Sequence, residues 1–133
     1  MIEKIDHISI VTKDLDRMVS LFSRLFGFGV KDTFRVPEQG FRSTLIGKGG
    51  ALVELIEPLG PDTPMAKFLG AKESVLHHFS LLVDSIDDES EALKAMGTRM
   101  VSDTPSKVRE GLRTNFLHPA STGGVLIELI ERK

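Results

Sequence analysis

The chain has 133 residues, 41% hydrophobic and 27% charged, a composition that suits one soluble globular domain and excludes a disordered or collagen-like chain. Seventeen basic against 19 acidic residues leave a net charge of -2, which gives no electrostatic basis for general nucleic-acid binding. Cys, Trp and Tyr are absent, so disulfides, thiol nucleophiles and thiolate metal sites are excluded, and two common base-stacking side chains are missing. No apolar run approaches the roughly 20 residues a bilayer-crossing helix needs. The opening Met-Ile-Glu-Lys-Ile-Asp-His lacks the apolar core of a signal peptide, so a cytoplasmic protein is expected, with no membrane or nucleic-acid partner. Its chemistry then has to come from His, carboxylates, hydroxyls or a bound metal.

Residues 4–12 alternate and are rich in Ile and Val, which predicts a strand. Asp14 can cap a helix whose apolar positions Leu15, Met18, Val19, Phe22, Leu25 and Phe26 fall on one side, with Gly27 and Gly29 ending it. Two strands follow at about 30–36 and 40–47, with Pro37 and Gly40 in the turn, and Gly49-Gly50 leads into a strand at 51–57. Leu59-Gly60-Pro61-Asp62-Thr63-Pro64 is a turn-rich linker, and Met65–Leu69 reads as a short helix with Pro64 at its first position. A strand at 76–83 comes next. Ser85 then caps a helix with Ile86, Leu93 and Met96 inside and Gly97 as its stop. Strands at about 98–102, 112–118 and 124–131 complete the reading.

This series repeats itself. Ile5-Asp6-His7-Ile8-Ser9-Ile10-Val11 aligns with Leu76-His77-His78-Phe79-Ser80-Leu81-Leu82, an offset of 78 − 7 = 71. Leu52-Val53-Glu54-Leu55-Ile56-Glu57 aligns with Leu126-Ile127-Glu128-Leu129-Ile130-Glu131, an offset of 128 − 54 = 74. Two anchors in the same order at nearly the same spacing mark two copies of one module. The expected fold is therefore α+β: two tandem βαβββ modules, 1–58 and 74–133, joined by a linker at 59–73.

Alternation along a strand decides which polar residues share a face. His7 lies with Ile5, Ser9 and Val11, and His78 with Leu76, Ser80 and Leu82. Glu54 lies with Leu52 and Ile56, and Glu128 with Leu126 and Ile130. A carboxylate amid apolar neighbours needs a partner or a metal. If helices cover one face of each sheet and the other module covers the second, His7, Glu54, His78 and Glu128 can point into one cavity. Two imidazoles and two carboxylates suit a divalent transition ion and leave positions open for substrate. Each of these residues alone is more commonly a satisfied core or surface group; their recurrence in both copies is what singles them out. His77 alternates to the other face and matches Asp6, so it is read as non-ligating. Glu57 and Glu131 also recur, but on the opposite face at strand ends, where solvated or salt-bridged surface roles are expected. His118, before Pro119, reads as a turn residue.

The repeated layout with His7, Glu54, His78 and Glu128 resembles the vicinal oxygen chelate superfamily and, within it, the methylmalonyl-CoA epimerases. The resemblance is carried by Ile5-Asp6-His7-Ile8, Val53–Leu59, Leu76-His77-His78, Phe116-Leu117-His118-Pro119 and Ser121–Leu129. Linker residues Pro61–Leu69 look like the epimerases in particular. Nearly the whole chain is covered, which implies one glyoxalase-like domain over 1–133. The resemblance implies a divalent ion (Co, Mn, Ni, Zn or Fe) held by His7, Glu54, His78 and Glu128, an acyl-CoA substrate, and a homodimer. It implies an enolate route in which Glu128 removes the α-proton and Glu54 serves the opposite face. The chain departs from the family at Ser43, where some epimerases carry a second Glu, and in Ser106–Gly111, which lacks a Gly-rich form. A lactoylglutathione lyase would use the same four ligands, and a sequestering protein would need no catalysis. A ring-cleaving dioxygenase would leave Glu54 unexplained.

Overall fold

The computed structural model describes residues Met1–Lys133, which divide into two units, His7–His77 and Met1–Asp6 with His78–Lys133. The boundaries fall inside β1 (Ile2–Thr12) and β5 (Ser74–Val83), so each of these strands contributes residues to both units.

In the His7–His77 unit, α1 (Leu15–Phe26) is followed by β2 (Gly29–Val36), β3 (Phe41–Lys48), β4 (Ala51–Pro58) and α2 (Pro64–Leu69). The strands are ordered β2-β3-β4-β1; β1 runs parallel to β4 and the other pairs are antiparallel. The Asp14 carboxylate accepts the Arg17 N–H at 3.1 Å and so caps α1, and Thr63 caps α2 through the Ala66 N–H at 3.2 Å. Leu15, Ile46 and Leu55 form a buried cluster, with Ile10, Met18, Val19, Phe22, Phe28 and Val53 against it. Each of those three fully buried side chains is worth about 1.5–3 kcal/mol.

The other unit repeats the plan with α3 (Ile86–Ala95), β6 (Ser106–Arg109), β7 (Leu112–Leu117) and β8 (Ile127–Arg132). Its strands run β5-β8-β7-β6, again with the first pair parallel. Ser85 caps α3 by accepting the Asp88 N–H at 3.2 Å. Val83, Ile86, Leu117 and Leu129 form its core. Met1–Asp6 is tied in at two places: the N-terminal amine meets Asp84 at 2.6 Å, and Arg132 donates to both oxygens of Asp6 at 3.1 and 2.9 Å. No helix is long and apolar enough to cross a membrane.

Three parts of the sequence reading are corrected. Residues 98–102 are not a strand: they meet β7 through one bridge, Met100 to Leu117. The Asn115 side chain accepts the Ser102 N–H at 3.3 Å and donates to the Ser102 carbonyl at 2.8 Å; it also accepts the Phe116 N–H at 2.9 Å, the donor that a longer ladder would have turned to Val101. The rest of that β7 edge pairs with β6 through the Glu110-Gly111 turn. There Gly111 adopts φ +76°, as tight hairpin turns require. The second correction concerns two apolar residues assigned to helix interiors. Leu25 is 59% exposed and Met96 80%. Each lies ten residues after the buried leader of its helix, about 80° off the packed stripe at 100° per residue. Phe26, also assigned to that stripe, is half exposed at the helix end and meets Phe22 edge-on. The strand expected at 124–131 begins only at Ile127, after a single 3-10 turn at Pro119–Ser121.

Candidate functional site

Parallel pairing of β1 with β4 sets Ser9 beside Glu54, on the sheet face opposite α1. The Ser9 hydroxyl donates to Glu54 Oε1 at 2.7 Å, and the Ser43 hydroxyl, from β3, donates to Oε2 at 2.8 Å. His7, two residues before Ser9 on the same face, brings Nε2 to 3.5 Å from Glu54 Oε1. Ser9 and Ser43 are 0% and 1% exposed, and His7 is 4%. The other unit builds the same arrangement: Ser80 pairs with Glu128 and donates to its Oε1 at 2.5 Å. His78 Nε2 lies 3.4 Å from that oxygen, and the His78 ring is held edge-on by Phe116 at 5.0 Å.

These distances suit ligands of a shared ion better than direct hydrogen bonds. An N–H···O bond has its heavy atoms about 2.7–3.2 Å apart. Two ligands each about 2.1 Å from one ion lie about 3.0 Å apart in an octahedron and about 3.4 Å apart in a tetrahedron. Gaps of 3.4 and 3.5 Å lie at and just above the tetrahedral end of that span. The donor chemistry, imidazole nitrogen beside carboxylate oxygen, fits a divalent transition ion. Each unit therefore offers one His and one Glu as a ligand pair.

The family model described as the glyoxalase/bleomycin resistance protein/dioxygenase superfamily matches residues 6–116. The chain belongs to that superfamily. The mitochondrial methylmalonyl-CoA epimerase of Dictyostelium discoideum is 33% identical over 98% of this chain and 80% of its own length. The crystal structure of methylmalonyl-CoA epimerase from Mycobacterium tuberculosis superposes with a TM-score of 0.92 at 29% identity, covering 99% of this chain and 89% of that one. A variant of the Streptomyces coelicolor methylmalonyl-CoA epimerase in complex with 2-nitronate-propionyl-CoA gives a TM-score of 0.90 at 31% identity, over 98% of this chain and 97% of that chain.

The remaining recurrent residues of this glyoxalase-superfamily domain have structural roles. Glu57 Oε2 accepts the Leu15 N–H at 2.8 Å and Oε1 accepts from Arg42 Nε at 3.0 Å. Glu131, 4% exposed, accepts the Ile86 N–H at 2.9 Å and meets Arg113 at 3.4 Å. The expectation of salt bridges for these two holds, but Glu131 is not a solvated surface residue. Alternation points both toward the helix face, where each reaches the unfilled first donors of its helix. His77 packs edge-on against Phe68 at 4.3 Å. His118 Nδ1 accepts the Ala120 N–H at 3.0 Å and caps the 3-10 turn that follows. The serines that grip the carboxylates had no assigned role in the sequence reading. A signal for two of them was present, since Ser9 and Ser80 recur at the same 71-residue offset as the histidines (80 − 9 = 71). Ser43 has no such counterpart serine.

Proposed function

We propose that this protein interconverts the two epimers of methylmalonyl-CoA through the enolate, with His7, Glu54, His78 and Glu128 holding one divalent ion. The observation that carries the reading is likeness over nearly the whole chain to enzymes of that name, at TM-scores of 0.92 and 0.90. The two equivalent His/Glu pairs support it from the residues themselves. Epimerisation removes the proton from the carbon between thioester and carboxylate and returns one to the opposite face. A 2-nitronate, as in the Streptomyces coelicolor complex, is a planar anion at that carbon. A divalent ion bound by the four residues supplies Lewis-acid stabilisation of the negative charge that develops on the thioester oxygen, worth several kcal/mol.

In this reading the protein's own groups move the proton. Glu128, oriented by Ser80, takes it from one face as general base, and Glu54 serves the other. Ser43 is not a second base, because its hydroxyl donates to Glu54 and a lone serine is a weak proton acceptor. We infer a homodimer acting in the cytoplasm. The family resemblance favours the dimer, and a cysteine-free chain of ordinary soluble composition suits that compartment. Sedimentation equilibrium checks the dimer.

The decisive experiment follows the α-proton of methylmalonyl-CoA by NMR in D₂O, with metal-loaded protein and a chelated control. Metal-dependent loss of the proton signal is expected. Exchange no faster than in the chelated control would refute the epimerase reading.

A further inference from the structure

We propose that Ser43 is a positioning residue that, together with Ser9, fixes the Glu54 carboxylate by its two oxygens and so sets its aim as a metal ligand; this rests on the metal reading above. Ser9 holds Oε1 and Ser43 holds Oε2, at 2.7 and 2.8 Å, from two different strands. Both serines are almost completely buried, so neither hydroxyl is a solvent-facing group that meets the carboxylate by chance. A carboxylate bonded at one oxygen can still rotate about its last side-chain torsion. Bonds to both oxygens, from opposite neighbours in the sheet, fix its plane and direct its remaining lone pairs. That is the role outer partners play toward ligating groups in metal sites.

The two repeats differ here, and the difference sets Ser43 apart. Ser43 stands opposite Ile56 in the β3–β4 ladder. The matching position in the β7–β8 ladder, opposite Ile130, is Thr114. Ser43 donates to Glu54, whereas among the hydrogen bonds made by Glu128 the hydroxyl donor is Ser80 of β5, not Thr114. The symmetric part of the design is thus one serine on the first strand of each module. The grip of Ser43 is an addition in the first module only. A Glu placed there would add a carboxylate beside Glu54; the serine instead donates to it.

The test compares the wild-type chain with Ser43→Ala, Ser9→Ala and Thr114→Val. Divalent-ion affinity is measured by calorimetry with Co²⁺ on metal-free protein, and the visible absorption spectrum of the Co²⁺ form is recorded. Ser43→Ala and Ser9→Ala are each expected to weaken Co²⁺ binding by about tenfold or more and to alter the spectrum. Thr114→Val, which removes the counterpart hydroxyl, is expected to change neither. Having two independent serine variants keeps the test open if one of them does not fold. If wild type binds Co²⁺ and both serine variants bind it equally tightly with the same spectrum, the positioning role is wrong while the metal site stands. If wild type binds no Co²⁺, the metal reading and this role fall together.

Discussion

Glu131 accepts the backbone N–H of Ile86, the first residue of α3, at 2.9 Å. Glu57 does the same for Leu15 at the start of α1, at 2.8 Å. In each module the last strand thereby pins the helix at its positive end, where a carboxylate is favoured both by the unfilled N–H groups and by the helix dipole. Three residues earlier on the same strand, and on the other face, stands the carboxylate assigned to the site, Glu128 or Glu54.

Removing the buried pin should be costly. Glu131→Ala leaves the Ile86 N–H without its acceptor and Arg113 without one of its two carboxylates. Urea unfolding should report a loss of about 1–3 kcal/mol. Glu57 is less buried, so Glu57→Ala should cost less. A reversed order would show that burial does not decide the effect.

In the site itself, Glu128→Gln preserves shape while removing the carboxylate proposed as the base. Exchange of the methylmalonyl-CoA α-proton should fall by about 10²–10⁴-fold, with the thermal unfolding midpoint little changed. His77→Ala, which loses the contact with Phe68, should leave exchange unchanged. Loss of exchange in that variant would mean the adjacent histidines had been assigned the wrong way round.

Acid stability should carry the signature of one surface pair. The Arg113 guanidinium, hydrogen-bonded to Asp87, holds that carboxyl below its ordinary 3.8, against a smaller opposing effect of burial. A depressed folded-state value gives stability that is fully present above the unfolded value and is lost as pH falls through the folded one. The gap in urea midpoint between wild type and Asp87→Asn should therefore be present at neutral pH and close below about pH 4. A gap that persists at lower pH would remove this pair as its source.

Gly40 follows the single 3-10 turn at Pro37–Gln39 with φ +76°, and a Cβ there would lie 2.6 Å from Thr63 Cγ2. Thr63 is the cap of α2. Gly40→Ala combines a left-handed backbone with displacement of that cap, and a cost of about 1–3 kcal/mol is expected in chemical denaturation. Thr63→Ser, which removes the obstructing methyl but keeps the cap, should recover part of the loss in the double variant.

Much of this arrangement could be read from the sequence because the chain states it twice. Recurrence of His7 with His78 and Glu54 with Glu128 identified the polar residues, and period-two alternation assigned their faces. The helix caps Asp14 and Ser85 were visible for a local reason, since each satisfies a donor three residues on. What escaped depended on contacts distant in sequence. The bonds from Ser9 and Ser43 to Glu54 span 45 and 11 residues, and the pin from Glu131 to Ile86 spans 45. No local pattern announces them. The strand misassigned to 98–102 was lost to Asn115, a side chain doing the work of a ladder.

A strand that carries a site carboxylate on one face and a helix pin on the other cannot change length between them. One residue inserted between Glu54 and Glu57, or between Glu128 and Glu131, would turn one of the pair to the wrong side of the sheet. The two copies have nevertheless drifted in length: His7 to Glu54 spans 54 − 7 = 47 positions and His78 to Glu128 spans 128 − 78 = 50. The growth lies in connections, where ten residues separate α3 from β6 (96–105) and only two separate α1 from β2 (27–28). Relatives that diverged by insertion or deletion should show the same division, with variable joints and an invariant three-residue step between the two glutamates.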